Sequence, residues 1–239
     1  IPNEAKTTMD YLLVNYATDI MSQMLNARLD ELTQTPNPPF IYAQAYDDDF
    51  FVSKTKDAFM GIAVSKDDGI ETALSSLLRE MERVHRFGFT ESEYTRARAE
   101  YLRNLESAYN ERDKQKNDAY IQEYVRHFID NEPIPGIENE YAIMNQIVPN
   151  IPVEAINQMM GQLISDSNLV VSIFCPDKEN MKYPTKDEIL NTIKDIKAEK
   201  IEAYVDKVSD EPLITEKPKA GKIVSINENG PFGTTVMTL

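Results

Sequence analysis

The sequence predicts an α+β fold in which a mainly antiparallel sheet carries long helices on one face. Apolar residues recur at helical spacing through several long stretches, which indicates helices with one buried side. Short runs rich in aromatic and β-branched residues lie between these stretches and indicate strands. Because the apolar faces of the helices need a surface to cover them, we expect strands and helices to share one core.

The first predicted helix begins near Met9 and ends before the prolines that start at Pro36, because proline lacks a backbone donor and disfavours helix in the residue before it. Its apolar residues follow the spacing of a helical stripe: Met9, Leu12, Leu13, Tyr16, Ala17, Ile20, Met21, Met24, Leu25, Leu29 and Leu32. This pattern is typical of a long amphipathic helix.

Two strands are predicted next, within residues 40–46 and 58–65. The acidic stretch Asp47, Asp48 and Asp49 lies between them. Consecutive strands usually lie side by side, so we expect these two to be antiparallel neighbours.

A second helix is predicted from Asp68 to Gly88, since glycine often ends a helix. The third begins at Thr90, where Thr90 and Glu93 have the spacing of a capping box. Phe89 and Tyr94 can form the hydrophobic staple around it. This helix is predicted to run on, with a bend, across residues 110–118 to Phe128.

The remaining elements are two helices, a buried strand and a last helix. One helix carries Tyr141, Met144 and Ile147, and the other begins near Pro152. The nearly continuous apolar run at 169–175 is predicted to be a strand buried in the sheet. The last helix begins at Thr185, with Glu188 at capping-box spacing, and is predicted to continue toward Tyr204.

Composition divides the chain into a domain at 1–207 and a tail at 208–239. Residues 208–233 are polar and interrupted by proline and glycine, as in a linker. Strand-forming residues follow from Thr234. The sequence starts at Ile1 without methionine and stops within this predicted strand, so we expect both ends to be cuts in a longer chain.

The charge balance excludes several classes of function. A formal charge of -15 disfavours binding to nucleic acid or to an anionic membrane surface. The chain has no apolar run approaching the ~18 residues that cross a bilayer. Its single cysteine, Cys175, excludes an internal disulfide and is either a small core residue or, less simply, a nucleophile.

Neither histidine lies in a zinc motif of the H-x-x-E-H type, because His85 and His127 are more than forty residues apart. Each has a carboxylate at helical spacing, Glu82 for His85 and Glu123 for His127. These pairs are interpreted as helix-surface contacts, with metal binding as the alternative. The sequence therefore predicts no catalytic residue, no metal ligand and no cofactor in this chain.

The block Glu111, Arg112, Asp113 and Lys114 concentrates charge within a helical region. It is either a solvated helix face or a buried or interdomain polar network. Because it interrupts a strong apolar stripe, we favour the network, with Arg112 and Asp113 as its members.

Residues 24–176 resemble the second domain of an insulinase-type half-molecule, in a bacterial branch of long, single-chain zinc peptidases. The match depends on three segments in this order and spacing: residues 25–32 with 37–40, residues 109–114, and residues 123–128 leading to 132–138. The resemblance identifies the chain as a member of the insulinase/pitrilysin family and implies that family's α+β metallopeptidase domain.

The resemblance also implies a role for the chain within a larger enzyme. Two similar halves, each of two α+β domains, close around an unfolded peptide, and zinc with a glutamate base hydrolyses it. This chain corresponds to the non-catalytic second domain of the first half, forming chamber wall and a possible substrate contact. Its partners would be the upstream catalytic domain, the downstream half and the peptide. The alternative is a zinc-less assembly or peptide-binding subunit.

Family members contact substrate through an arginine and a tyrosine seven residues apart, typically in the second half. Tyr42 falls near the tyrosine position here, but Thr35 replaces the arginine. The resemblance therefore assigns Tyr42 only a possible substrate contact. Tyr42, Arg112 and Asp113 are the three residues predicted to contact substrate or to form a structural network. The resemblance favours the periplasm or cell envelope over the cytoplasm. The substrate, the organism and the oligomeric state do not follow from the sequence.

Overall fold

The computed structural model describes all residues except 1–5, 51, 54, 166–167, 180, 209–210, 212–213, 217 and 239. The chain divides into two compact units, Ile1–Asp206 and Lys207–Leu239. The first unit contains, in chain order, α1 (Met9–Thr33), β1 (Tyr42–Asp49), β2 (Asp57–Val64), α2 (Ile70–Phe87), α3 (Glu91–Asn110), α4 (Asn117–Asp130), α5 (Ile137–Ile147), α6 (Val153–Leu163) and α7 (Lys186–Ala198). Short 3-10 turns occur at Arg112–Lys114 and Val148–Asn150.

The core forms around α1, which packs against β1, α2, α3 and α6. The buried side of α1 consists of Tyr16, Ala17, Ile20, Met21, Met24, Leu25 and Leu29. This is the stripe that the sequence predicted. Burying each large apolar side chain of this kind stabilises the fold by about 1.5–3 kcal/mol.

β1 and β2 form an antiparallel pair, with Tyr42 opposite Val64 and Asp49 opposite Asp57. Ala43 and Ala45 of β1 are buried on the inner face of the pair. Tyr42, Ile62 and Val64 are exposed on the outer face. The predicted α+β class, with antiparallel pairing and helices on the inner face, is thus confirmed.

The edge of β1 is bonded to α1 through one side chain. Asn26 Nδ2 donates to the Ala45 carbonyl at 2.9 Å, and the Ala45 N–H donates to Asn26 Oδ1 at 2.6 Å. One amide side chain thus satisfies both backbone groups of an edge residue. This pair of bonds fixes where α1 lies on the strand.

Both predicted capping boxes are present, and the second helix ends where predicted. Thr90 accepts from the Glu93 N–H while Glu93 accepts from the Thr90 N–H, and Thr185 and Glu188 are arranged in the same way. The C-cap of α2 is Gly88, whose φ of 69° lies in the left-handed region. A Cβ at Gly88 would meet the Asn157 side chain at 2.5 Å, so this turn requires glycine.

The first strand is shifted along the chain from its predicted position. The sequence predicts this strand within 40–46, but β1 spans Tyr42–Asp49 and includes the acidic residues predicted to lie between the strands. In-register pairing with β2 carries the strand through them, with Asp47 opposite Phe59 and Asp49 opposite Asp57. Phe40 is fully buried but precedes the strand.

The third predicted helix is wrong in its length. It ends at Asn110, and α4 begins separately at Asn117. Gln115 and Lys116 have extended backbone between the two helices, with ψ of 138° and 151°. The polar sequence here has no apolar face to bury, so no packing compensates for continuing the helix.

The prediction of a strand at 169–175 is also wrong, since the structure assigns no strand there. Among the described residues, β1 pairs only with β2 and β3 only with β4, so this segment has no ladder partner. Val171, Ile173 and Cys175 are half-buried while Phe174 is exposed, so strand-like alternation persists without pairing. The last helix is likewise shorter than predicted, because α7 ends at Ala198 rather than near Tyr204.

The second unit contains one small antiparallel pair, β3 (Ser225–Asn227) and β4 (Val236–Thr238), with Ile226 opposite Met237. A 3-10 turn at Pro231–Gly233 lies between them. The strand formers after Thr234 therefore do form a strand, while Leu239 lies outside the described residues. Across the described part of the chain, no helix combines the length and the apolar character that crossing a bilayer requires.

Candidate functional site

Tyr42 is the first residue of β1 and is 47% exposed. Its hydroxyl donates to Gln44 Oε1 on the same outer face of the sheet. Thr35 is exposed just beyond the end of α1, and its hydroxyl donates to the Leu32 carbonyl. Within the described residues, no hydrogen bond, ion pair or ring contact joins Tyr42 to Arg112 or Asp113.

Arg112 links the end of α3 to the start of α5. Its Nη1 donates to the Tyr109 carbonyl at 2.7 Å, and its Nε lies 3.3 Å from Glu138 Oε1. The guanidinium also lies over the Tyr109 ring, which stacks on Tyr141. Asp113 is exposed and takes part in none of these contacts.

The histidines do not contact the carboxylates to which their spacing assigned them. His85 is exposed in the last turn of α2, and Glu82 instead pairs with Arg86 at 2.6 Å. His127 Nδ1 donates to the Glu132 carbonyl at 2.7 Å. Among the described residues, no group of three or more His, Cys, Asp or Glu side chains could hold a metal ion.

Cys175 is half-buried and lines an open cavity of about 440 Å³. Ile173, Tyr183 and Ile189 line the same cavity. The other lining residues are proline and aspartate, and no histidine is among them to act as a base. This placement agrees with the simpler interpretation of Cys175 as a packing residue.

Arg28 of α1 and Glu93 of α3 form the most enclosed ion pair among the described residues of the first unit. Arg28 donates through Nε and Nη2 to the two carboxylate oxygens at 2.6 and 2.8 Å. The two side chains are only 2% and 6% exposed. Arg28 Nη2 also donates to the Gly88 carbonyl at 3.1 Å, so one guanidinium joins α1, the α2–α3 turn and α3.

Sequence reasoning found only half of this arrangement. The capping box located Glu93, but its pairing with Arg28 bridges residues 65 positions apart and has no local pattern. Asn157 of α6 completes the arrangement, because its amide bonds both the N–H and the carbonyl of Phe89. The signal that the sequence did contain was Arg28 itself, because a charged residue on the buried stripe of α1 needs a partner of opposite charge.

A row of arginines on α2 holds an extended segment at residues 199–206, which we call the strap. Arg79 Nε donates to Glu199 Oε1 at 2.8 Å, and Arg83 Nε donates to the Glu202 carbonyl at 3.0 Å. Arg86 donates to the carbonyls of Glu199, Lys197 and Ile196. The pKa of Glu199 is lowered chiefly by its hydrogen bond from Arg79.

The far end of the strap is held by α3 and α1. Arg96 forms a bidentate ion pair with Asp206, in which Nη1 and Nη2 donate to the two carboxylate oxygens at 2.8 and 3.1 Å. This contact lowers the pKa of Asp206. The Tyr204 ring covers the Arg28 guanidinium at 4.2 Å, and its hydroxyl donates to Glu31. Ile201 is buried, at 6% exposure.

Asp47 lies on the inner face of β1, in register with Phe59. Its Oδ1 is buried without a hydrogen-bond partner. Burial raises the pKa of Asp47 and, together with the nearby carboxylates of Asp57, Asp48 and Asp19, brings it to about 6. The arrangement disfavours charge at Asp47, because like charges and a dry surrounding both oppose ionisation.

α4 has no buried residue, and its apolar stripe faces outward. The exposed large side chains recur at helical spacing: Ile121, Tyr124, Val125, Phe128 and Ile129. Phe128 is 88% exposed. A contiguous apolar helix face of this kind is typical of a surface that contacts another protein segment.

Comparison with known proteins places the chain beside large zinc proteases. No family model matches the sequence. A "Zinc protease PQQL-like" protein of Arabidopsis thaliana is 26% identical over 238 residues, which are 99% of this chain and 22% of that protein. The alignment thus runs through both compact units.

Solved structures share the fold at lower identity. The periplasmic protease PqqL of Escherichia coli matches 100% of this chain with a TM-score of 0.69 and 16% identity, over 26% of its own length. The first half of PqqL alone matches 86% of this chain over 44% of that half, again with a TM-score of 0.69 and 16% identity. A predicted insulinase family protease of Yersinia pestis matches 82% of this chain over 41% of its length, with a TM-score of 0.66 and 9% identity.

The chain spans about a quarter of the length of the Arabidopsis and whole PqqL proteins that it matches. The sequence match covers nearly the whole chain, and the fold agrees with that of the solved proteases. Together, the sequence match and the shared fold support the predicted resemblance to an insulinase/pitrilysin-family peptidase domain.

Proposed function

We propose that this chain is a non-catalytic domain of a zinc metallopeptidase that hydrolyses peptides in a closed chamber, and that it forms part of the chamber wall. The observation that carries the proposal is the match to a zinc protease-like protein over 99% of this chain and only 22% of the relative. The described residues offer no metal-binding cluster, which supports placing the zinc in another domain of the parent protein.

The match to the first half of PqqL supports an assignment within that half. The partners would be the catalytic domain of the same half, the second half and the peptide. Residues 208–239 would join the halves and start the next domain. Because PqqL is a periplasmic protein, the periplasm or cell envelope is the compartment we propose.

Two of the three site residues predicted from sequence suit separate roles. Tyr42 is exposed on the outer face of the sheet and could contact a peptide there. Arg112 connects α3 and α5 and would act as a structural residue. The exposed Asp113 would take part only through a contact with another domain.

Metal analysis combined with a peptidase assay tests the proposal. After dialysis, the 239-residue chain should hold no stoichiometric zinc and should not cleave a fluorogenic peptide, since three protein ligands and an open site are needed for zinc catalysis. The chain extended to include the neighbouring domains should do both, and a chelator should stop the cleavage. Stoichiometric zinc or chelator-sensitive turnover in the 239-residue chain would refute the non-catalytic assignment.

The exposed stripe of α4 favours a second candidate, a zinc-less subunit whose work is assembly or peptide binding. An apolar face with no buried residue serves binding more directly than it serves a chamber wall. The two candidates differ in the longer protein, because the extended chain of a zinc-less subunit would remain inactive with added zinc.

A further inference from the structure

The strap at residues 199–206 lacks the features that usually fix a segment in a fold. It contains no helix or strand. Its side chains include one deeply buried apolar group, Ile201. Most of the other contacts to it are ion pairs and hydrogen bonds from arginines of α2 and α3.

These polar contacts are reachable by water. The arginine side chains that hold the strap range from 21% exposed for Arg83 to 56% for Arg96. Ion pairs with such exposure contribute little each and are weakened by salt. The helices beneath differ, because α2 and α3 contribute Leu77, Val84, Tyr94 and Leu105 to the buried core. We therefore expect the strap to open at a lower free-energy cost than α2 and α3.

We propose that the strap is a releasable clasp, held on the arginine row of α2 and α3, which detaches as a unit while the helices remain folded. Release exposes Arg79, Arg83, Arg86 and Arg96 together and uncovers the guanidinium of Arg28. The strap ends at Asp206, the last residue of the first compact unit. Whatever follows Asp206 is therefore tethered at α3 when the clasp is closed.

Release of the strap would also lengthen the connection between the two halves of the parent protein. This consequence rests on the proposed function of residues 208–239 as a linker between those halves. A free strap adds eight residues to that linker. At full extension this is roughly 26–29 Å. If the two halves of the chamber must separate to admit a peptide, a connection that can lengthen in this way lets them move further apart.

The rate of limited trypsin digestion at the Lys200–Ile201 bond measures how often the clasp opens. A protease needs several residues in extended, unhindered form, and Ile201 is buried in the closed strap. We expect Arg86→Ala, which removes the donor to the Glu199 carbonyl of the strap and to two carbonyls at the end of α7, to speed cleavage at this bond about tenfold. The matched control is Arg103→Ala, at an exposed arginine of α3 away from the strap, which should stay within about twofold of the unchanged chain.

A second measurement covers the case in which Arg86→Ala folds poorly. In the unchanged chain, raising the salt concentration should speed cleavage at Lys200, after correction with a free peptide of the strap sequence. Cleavage at Arg79 and Arg83 inside α2 should not rise with it. If cleavage at Lys200 rises only in step with cleavage inside α2, the strap opens by global unfolding and the proposal fails. The zinc assay tests the proposed function independently of the digestion. If the 239-residue chain itself bound zinc but the strap still detached, the clasp proposal would stand, and only its consequence for the linker would be lost.

Discussion

At the scale of single residues, the buried ion pair of Arg28 and Glu93 makes a prediction about stability. We expect Arg28→Ala to lower the free energy of unfolding by about 3–5 kcal/mol, because it leaves the Glu93 carboxylate buried without its partner. Urea denaturation followed by circular dichroism measures the loss. Arg103→Ala serves as the control and should change stability by less than about 0.5 kcal/mol. A loss below about 1 kcal/mol for Arg28→Ala would contradict the assigned role.

Asp47 gives the first unit a stability that should fall as pH rises. The pKa of Asp47 in the folded chain is about 6, against an ordinary value of 3.8, so the folded state binds this proton more tightly than the unfolded state. The stabilisation is present in acid and is lost between about pH 4 and pH 6. The raised pKa values of Asp19 and Asp57 act in the same direction.

Asp47→Asn separates this effect from the general charge of the chain. The variant should be more stable than the unchanged protein at pH 7, and the difference should shrink toward pH 4, where Asp47 is protonated. Thermal melts across this range measure it. Asp113→Asn removes one charge at an exposed position and should show no such pH dependence. Equal effects of both substitutions would assign the result to net charge alone.

At the scale of elements, α4 should contribute almost nothing to the stability of this chain through its apolar face. Phe128→Ala should change the free energy of unfolding by no more than about 0.5 kcal/mol, because the side chain is already 88% exposed. Phe40→Ala is the matched substitution at a fully buried site and should cost about 3–5 kcal/mol. Chemical denaturation of both variants decides the point. A large loss at Phe128 would mean that α4 packs against the chain itself.

The elements that the sequence predicted well are those whose signals are local. The stripe of α1, the glycine at the end of α2 and the two capping boxes depend on neighbours within one or two turns. The segment at 169–175 was mispredicted because a strand exists only where a partner offers a ladder. α7 is shorter than predicted because one distant arginine of α2, Arg86, binds the carbonyls of Ile196 and Lys197 at its end.

At the scale of the whole molecule, three short segments indicated a resemblance to a family, whereas the polar contacts between distant residues had no signal in the sequence. The order of those segments matched a family pattern that the sequence and fold comparisons support. Arg28 with Glu93, and the strap with its arginines, join residues that lie 65 to 120 positions apart. Such contacts follow from tertiary packing, and no periodicity within the chain encodes them. Tyr42, Arg112 and Asp113 stay predictions as functional residues.

The bond between Asn26 and Ala45 has a further consequence for behaviour at high concentration. An unpaired strand edge is a template on which a second chain can add its own strand, and this is a common first step in aggregation. The Asn26 amide occupies both backbone groups of Ala45 at 2.9 and 2.6 Å and so blocks this template near the middle of β1. Asn26 therefore disfavours intermolecular strand pairing at this edge, in addition to fixing the position of α1 on the strand.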